Sequence, residues 1–246
     1  MKLTTFRSVT VLLGLALAAT SSAAVVQGNS LQNGLNNISY ADTNGNVSVD
    51  FYDVNADQIS NDGVWNITAT GLSAQTLIFE FAGFKNANSF GIYDIFNPSN
   101  TLQIFSGSEG AGAYEVIYGP SNTFTTLVSS GGTGSASFSS ANFGYYLAGP
   151  GGMFYSQSHL NGGGADHLVA FQGNDSLYVD ATGYGPGLFS TGEYILAWED
   201  LPYTGSDWDY SDFVVMVESV TPVPAPGGLA LFALALMGIG LARRRA

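Results

Sequence analysis

Five carboxylates crowd one short stretch late in the chain: Glu199 and Asp200 after Trp198, then Asp207, Asp209 and Asp212 within "SDWDYSDF". No lysine or arginine stands between Lys85 and Arg243 to neutralise them. Two like charges 4 Å apart repel by about 4 kcal/mol at an effective dielectric of 20, so a folded loop must protonate such groups, spread them into water or bind a cation. Calcium takes roughly 6–8 oxygen ligands, which Asp, Glu and backbone carbonyls supply. The spacing Asp207-x-Asp209-x-x-Asp212 lets a turning loop aim its acids inward, and Glu199 and Asp200 stand ready to complete the shell. Gly205 permits the turn between the two ligand groups. The expected cofactor is therefore Ca²⁺, held by Glu199, Asp200, Asp207, Asp209 and Asp212; the alternative is a solvated acidic loop with no ion. A looser group, Asp53, Asp57 and Asp62 in "DVNADQISND", offers a second, weaker site, but its wider spacing favours ordinary turn chemistry.

Other chemistries find little support. A glycosidase needs two carboxylates at fixed separation across a sugar cleft, and this cluster is too dense for one raised and one ordinary pKa. His159 and His167 sit in no nucleophile motif and read as turn or packing residues. There is no cysteine and no His-x-x-x-His pair for zinc. The glycine runs "SGGTG" and "NGGGAD" lack the strand, helix and lysine of a phosphate loop, and the second reads as a mobile surface loop. No catalytic residue is assigned, and the chain is not expected to be an enzyme. Most aromatics fall at strand positions where burial explains them, with Trp208 and Tyr210 left open because they flank the ligands.

The elements that must position the acids are strands. "NVSVDF" would place Val47, Val49 and Phe51 on one face, and "TLIFEF" Leu77, Phe79 and Phe81. "VWNITAT", "AYEVIYG", "HLVAFQG", "YILAWED" and "DFVVMVES" continue the series. Alternation bounded by Gly, Asn, Ser and Pro predicts an all-β, antiparallel β-sandwich, jelly-roll-like, with no amphipathic helix between residues 25 and 222. "FGIY" before "LQIFSG" and "FGYY" before "LVAFQG" are alike, either by duplication of a strand pair or by chance. Residues 129–142, "SSGGTGSASFSSAN", read as a connector or hairpin tip.

Of 246 residues, 19 are acidic, and all of them lie within 25–222 beside the single base Lys85, giving that body 1 − 19 = −18. Phosphate binding needs Lys and Arg, so nucleic acid is excluded as a partner. With no disulfides available, packing or metal must hold the body together. Lys2 and Arg7, the apolar run "VTVLLGLALAA" and the small residues "SSAA" read as a signal peptide over 1–24, with cleavage after Ala23 or Ala24. At the other end, Val223, Pro224 and Pro226 precede an apolar run from Gly227 to Ala242 and the cluster Arg243, Arg244 and Arg245. At ~1.5 Å per residue such a helix barely crosses a ~30 Å hydrocarbon core, and the arginines would stay on the cytoplasmic side.

This tail, residues 223–246, resembles the PEP-CTERM sorting signal of Gram-negative bacteria, with Ala225 in place of the usual Glu. The resemblance implies export through the inner membrane, handling by an exosortase, and a place at the cell surface or in an exopolysaccharide matrix. The acidic loop is similar to the C-terminal signature of the secreted-protein domain-of-unknown-function family 4114: Phe-Glu-Asp, a spacer, Gly-Asp-x-Asp-Tyr-Asn-Asp, then an apolar strand. Ser206 and Ser211 replace its Gly and Asn, while "FGYYL" and "HLVAFQG" upstream also suit it. That resemblance, over about 141–220, implies a calcium-dependent extracellular β domain. The functional expectation is a structural or adhesive protein of an extracellular polysaccharide layer, with a carbohydrate-binding module or glycoside-active enzyme as the alternative.

Overall fold

The computed structural model describes residues 24–68, 71–80, 86–127, 134–181, 183 and 185–224. Residues 1–23 of the proposed signal peptide, Phe81, Pro226 and the arginine cluster lie outside the described residues. The body is an all-β sandwich in which every strand pairing is antiparallel. A seven-stranded sheet runs in the order β11 (Leu168–Gln172), β14 (Glu193–Trp198), β15 (Phe213–Glu218), β3 (Leu72–Phe79), β6 (Tyr114–Tyr118), β7 (Thr123–Thr126) and β8 (Ser135–Ser137). Facing it, β16 (Val220–Pro222), β2 (Trp65–Ile67), β9 (Asn142–Gly149), β4 (Ser89–Asp94) and β5 (Asn97–Phe105) form a second sheet, with β10 (Gly152–Tyr155) also paired to β9.

The first core lies between these sheets. Trp198, Leu196, Phe213 and Val215 from one meet Phe90, Tyr145, Trp65 and Ile92 from the other. A second core covers the opposite face of the seven-stranded sheet. There Val169, Phe171, Ile195, Ala197 and Val214 pack under a three-stranded sheet, β1 (Ser39–Tyr40), β12 (Leu177–Val179) and β13 (Gly187–Phe189), and under a short helix, α1 (Ser30–Asn36). β14 and β15 are therefore buried on both faces, which is why "YILAW" and "FVVMV" read as nearly unbroken apolar runs.

Helix α1 corrects the expectation of an all-strand body. Its sequence, SLQNGLN, has only Leu31 and Leu35 as large apolar residues, spaced by four, and both are fully buried. Its polar side chains bind the segment that follows: Gln32 accepts from Val54 N–H and donates to Tyr52 C=O, and Asn36 Oδ1 accepts from Phe51 N–H. Those bonds replace strand pairing, so "NVSVDF" forms only one isolated bridge, Tyr40 to Ser48, and leaves Val47 exposed while Phe51 enters the second core.

Leu77 and Phe79 do not share a face. Val215 of β15 pairs with Leu77 but Val214 pairs with Phe79, so Ile78 is an extra residue in β3. This bulge sends Leu77 into the first core and both Ile78 and Phe79 into the second. The two Phe-Gly-x-Tyr segments occupy β4 and β9, which pair with each other, Phe90 opposite Leu147. Their followers part company: β5 joins β4 in the same sheet, whereas β11 lies in the opposite one, so the arrangement is not a repeated strand pair. Within 129–142, Ser135–Ser137 is β8, hairpinned against β7. The "NGGGAD" stretch is organised by Asn161, whose buried side chain accepts from Tyr155 N–H and donates to the carbonyls of Tyr155 and Ala165.

Candidate metal centre

The loop between β14 and β15, residues 199–212, carries all five acids. Strand β14 is prolonged by Glu199 N–H donating to His167 C=O, which fixes where Glu199 leaves the sheet. The chain turns at Pro202, whose carbonyl accepts from Gly205 and Ser206 N–H. It returns through Trp208 and Tyr210, which hold left-handed backbones with φ of 58° and 54°. Such conformations are sparsely populated for large side chains and cost about 1–3 kcal/mol each. Gly205, between the two ligand groups, lies within this turn without holding a left-handed backbone. Placing alternate residues in that region turns Asp207, Asp209 and Asp212 toward Glu199.

One carboxylate oxygen from each of Glu199, Asp207, Asp209 and Asp212 lies within 4.8 Å of every other. Calcium–oxygen distances of about 2.3–2.6 Å put ligands on opposite sides of the ion about 5 Å apart, so the cluster has the span of one coordination shell. All four donors are hard oxygens, the set that suits calcium rather than zinc or copper. Glu199 is fully buried and Asp209 and Asp212 half-buried, while Asp207 is exposed and marks the side open to solvent. Glu199 Oε1 accepts from Leu201 N–H at 3.2 Å, and its buried Oε2 has no hydrogen-bond partner among the described residues. A buried carboxylate oxygen left in that state costs a large fraction of its desolvation energy unless a cation or proton meets it.

Asp200, the fifth expected ligand, lies beside these four but is not among the oxygens that converge within 4.8 Å. Its Oδ2 accepts from Asn88 Nδ2 at 2.8 Å, while its backbone N–H donates to Asp212 Oδ2 at 3.0 Å. Asp209 Oδ1 accepts from both the N–H and the hydroxyl of Ser211, at 2.8 and 2.9 Å.

Burial dominates the electrostatics. It pushes Glu199 up to about 7, with Asp207 adding to the rise and Ser206, Leu201 N–H and Asp212 offsetting it in part. Burial likewise pushes Asp212 up to about 8, reinforced by Glu199, Asp200 and Asp209 and opposed by the Asp200 N–H. Asp200 is raised for the same first reason. The negative field reaches further than the sequence cluster. Asp62, buried, is held well above the carboxylate range by desolvation and then by Asp166. Tyr210 donates its hydroxyl to Asp166 C=O at 2.7 Å. Asp53 and Asp57 cap their own turn: Asp53 Oδ1 accepts from Asn55 and Ala56 N–H, and Asp57 Oδ2 from Asp53 N–H.

Both histidines have simple places. His159 is exposed in a short 3₁₀ turn, Ser158–Leu160. His167 is buried, stacked on Phe154 with ring centroids 4.1 Å apart. Tyr210 belongs to the second core, and Trp208 packs against its edge. Asn88 is the site's neighbour that sequence reasoning missed: it lies 112 residues from Asp200 and nothing local signals the pairing.

Residues 120–220 match the family model described as Domain of unknown function (DUF4114). The DUF4114 match spans 101 of 246 residues and contains the whole acidic loop. It is not a separable layer, because β15 within it pairs with β3 before it, and β9 pairs with β2 and β4. No curated protein matches the chain.

Proposed function

We propose that this protein is an exported, calcium-stabilised β-sandwich with a structural or adhesive role at the cell surface or within an exopolysaccharide matrix. The observation that carries the calcium reading is the convergence of Glu199, Asp207, Asp209 and Asp212, with Glu199 Oε2 buried and without a hydrogen-bond partner among the described residues. A cation there neutralises the repulsion and fixes the two left-handed residues between the ligands. Mg²⁺ fits less well, since it demands near-octahedral geometry at about 2.0–2.1 Å. Export and surface sorting rest on the sequence of the two ends: a basic-apolar-small N-terminus, and Val223, Pro224, Pro226 and Arg243–Arg245 around an apolar run. In this reading the tail spans the inner membrane transiently and is the substrate of an exosortase. The body's charge of −18 suits neutral or cation-bridged partners and not nucleic acid.

Calcium titration of the purified protein tests the first part, and cell fractionation with and without residues 223–246 tests the second. A metal-indifferent body, or a truncated chain that still reaches the surface, sinks the corresponding half.

One observation favours a sugar-binding alternative. Tyr203, 67% exposed, packs its ring 5.6 Å from that of Trp208 beside the open side of the cluster, and exposed aromatics of this kind stack on sugar rings. A glycan array together with a hydrolysis screen separates the readings. Calcium-dependent binding lost in Tyr203→Ala supports a lectin-like module, while hydrolysis lost in a folded Asp209→Asn variant supports an enzyme.

A further inference from the structure

The Asn88–Asp200 pair has no place in the four-carboxylate cluster, yet it is more thoroughly enclosed than most of the molecule. Asn88 is fully buried and Asp200 only 3% exposed. The pair joins the two sheets: Asn88 immediately precedes β4, and Asp200 follows β14. Three glycines make room for it. A Cβ on Gly149 would run into Asn88 Oδ1, one on Gly107 into the Asn88 carbonyl, and one on Gly151 into the Asp200 carbonyl. Gly107 also holds a φ of +78°, so any side chain there would be strained twice over. The Asn88 amide gives its N–H to Asp200 and turns its oxygen against Gly149, where it has no hydrogen-bond partner among the described residues. A buried amide left half-satisfied is retained where its placement matters more than its own hydrogen-bond count.

Asp200 passes that placement on. Its carboxylate is fixed by Asn88, and its backbone N–H holds Oδ2 of Asp212 at 3.0 Å. Asp212 is thereby aimed from the opposite sheet, through two hydrogen bonds, before any ion arrives. Resting on the calcium reading above, we infer that Asn88 and Asp200 are positioning residues of the metal centre and that Asp200 is not itself a ligand. Partners that orient ligands commonly control metal affinity by about 10–100-fold when removed. The clamp also explains how a cluster made by one loop stays in register with the sandwich below it.

The test compares Ca²⁺ affinity, by calorimetry, with the melting temperature of the chelated protein across a small set of variants. Asn88→Ala frees the Asp200 carboxylate and is expected to weaken Ca²⁺ about tenfold or more. Asp200→Asn retains both an acceptor for Asn88 and the backbone N–H, and is expected to stay within about threefold of the parent. Asp209→Asn, which removes a ligand, sets the scale for a true first contact. A purely architectural Asn88 would lower the chelated melting temperature and leave the Ca²⁺ constant alone, which overturns the inference. So does an Asp200→Asn loss as large as that of Asp209→Asn, since Asp200 would then be a ligand. Should Asn88→Ala not fold, Asp200→Asn against Asp200→Ala decides the matter: affinity retained in the first and lost in the second supports the clamp, and equal affinities refute it. Failure of the parent protein to bind Ca²⁺ defeats the calcium reading itself, whereas parent-like binding by Asn88→Ala defeats only the clamp.

Discussion

Gln27 donates its backbone N–H to the carbonyl of Trp208 at 2.8 Å, so the start of the described chain is fastened to the middle of the acidic loop. Trp208 lies between two of the converging acids, Asp207 and Asp209, and holds a left-handed backbone. The same N-terminal stretch is held from its other side, where Val26 N–H donates to Asn55 Oδ1 and Gln58 Nε2 to Ala24 C=O. A cation that stabilises the loop must therefore protect the Gln27 amide. Chelation is expected to speed hydrogen exchange at Gln27 by about tenfold or more, as local opening becomes easier, while amides in β14 hold steady. Exchange at Gln27 that ignores chelation would mean the loop keeps its shape without an ion.

Acidity has a definite sign here. In the metal-free protein Glu199 is raised from 4.5 to about 7 and Asp212 from 3.8 to about 8. Folded carboxyls with raised pKa values bind protons that the unfolded chain releases, so their favourable contribution is complete below about pH 4. It is lost as pH rises through about 7 and 8. The chelated protein should consequently melt at progressively lower temperature between about pH 4 and pH 8. Excess Ca²⁺, which needs these groups deprotonated, should offset the fall increasingly toward the alkaline end. Differential scanning calorimetry across that range checks it; a chelated protein that gains stability with pH contradicts the assignment.

Tyr210 contributes to the loop in two ways, as a buried ring in the second core and through its hydroxyl on Asp166 C=O. Tyr210→Phe removes only the hydroxyl and with it the part-buried hydrogen bond to Asp166 C=O. The expected loss is about 0.5–1.5 kcal/mol by urea unfolding. A change within error would place that hydrogen bond outside the stabilising set.

The helix-bearing layer is expected to unfold with the rest. Leu35 is fully buried where α1 meets the second core. Leu35→Ala should cost about 2–5 kcal/mol, the range for emptying a buried leucine site, in a single transition seen alike by far-UV circular dichroism and tryptophan fluorescence. Two separated transitions would show instead that residues 24–59 form an independent layer.

Legibility differed between the parts. Local chemistry was readable: antiparallel strands from period-two patterning, and four converging acids from a run of carboxylates with no base nearby. What escaped was non-local or carried by polar residues. The α1 segment hid because Gln32 and Asn36 bind backbone groups of 51–54, a role no hydrophobic period reveals. The Ile78 bulge broke an alternation that looked perfect in "TLIFEF", since bulges are set by the neighbouring strand. Within the site, no local feature of the sequence marks the bond from Asn88, in the other sheet, to Asp200.

Calorimetric titration of the chelated protein with Ca²⁺, followed by a melt with and without the ion, tests the central claim most directly. Saturable binding is predicted, and at a hundredfold excess over Kd a stabilisation of about 2.7 kcal/mol. For a chain of this size that corresponds to a melting temperature higher by about 5–10 °C. No binding heat and superimposable melts would contradict it.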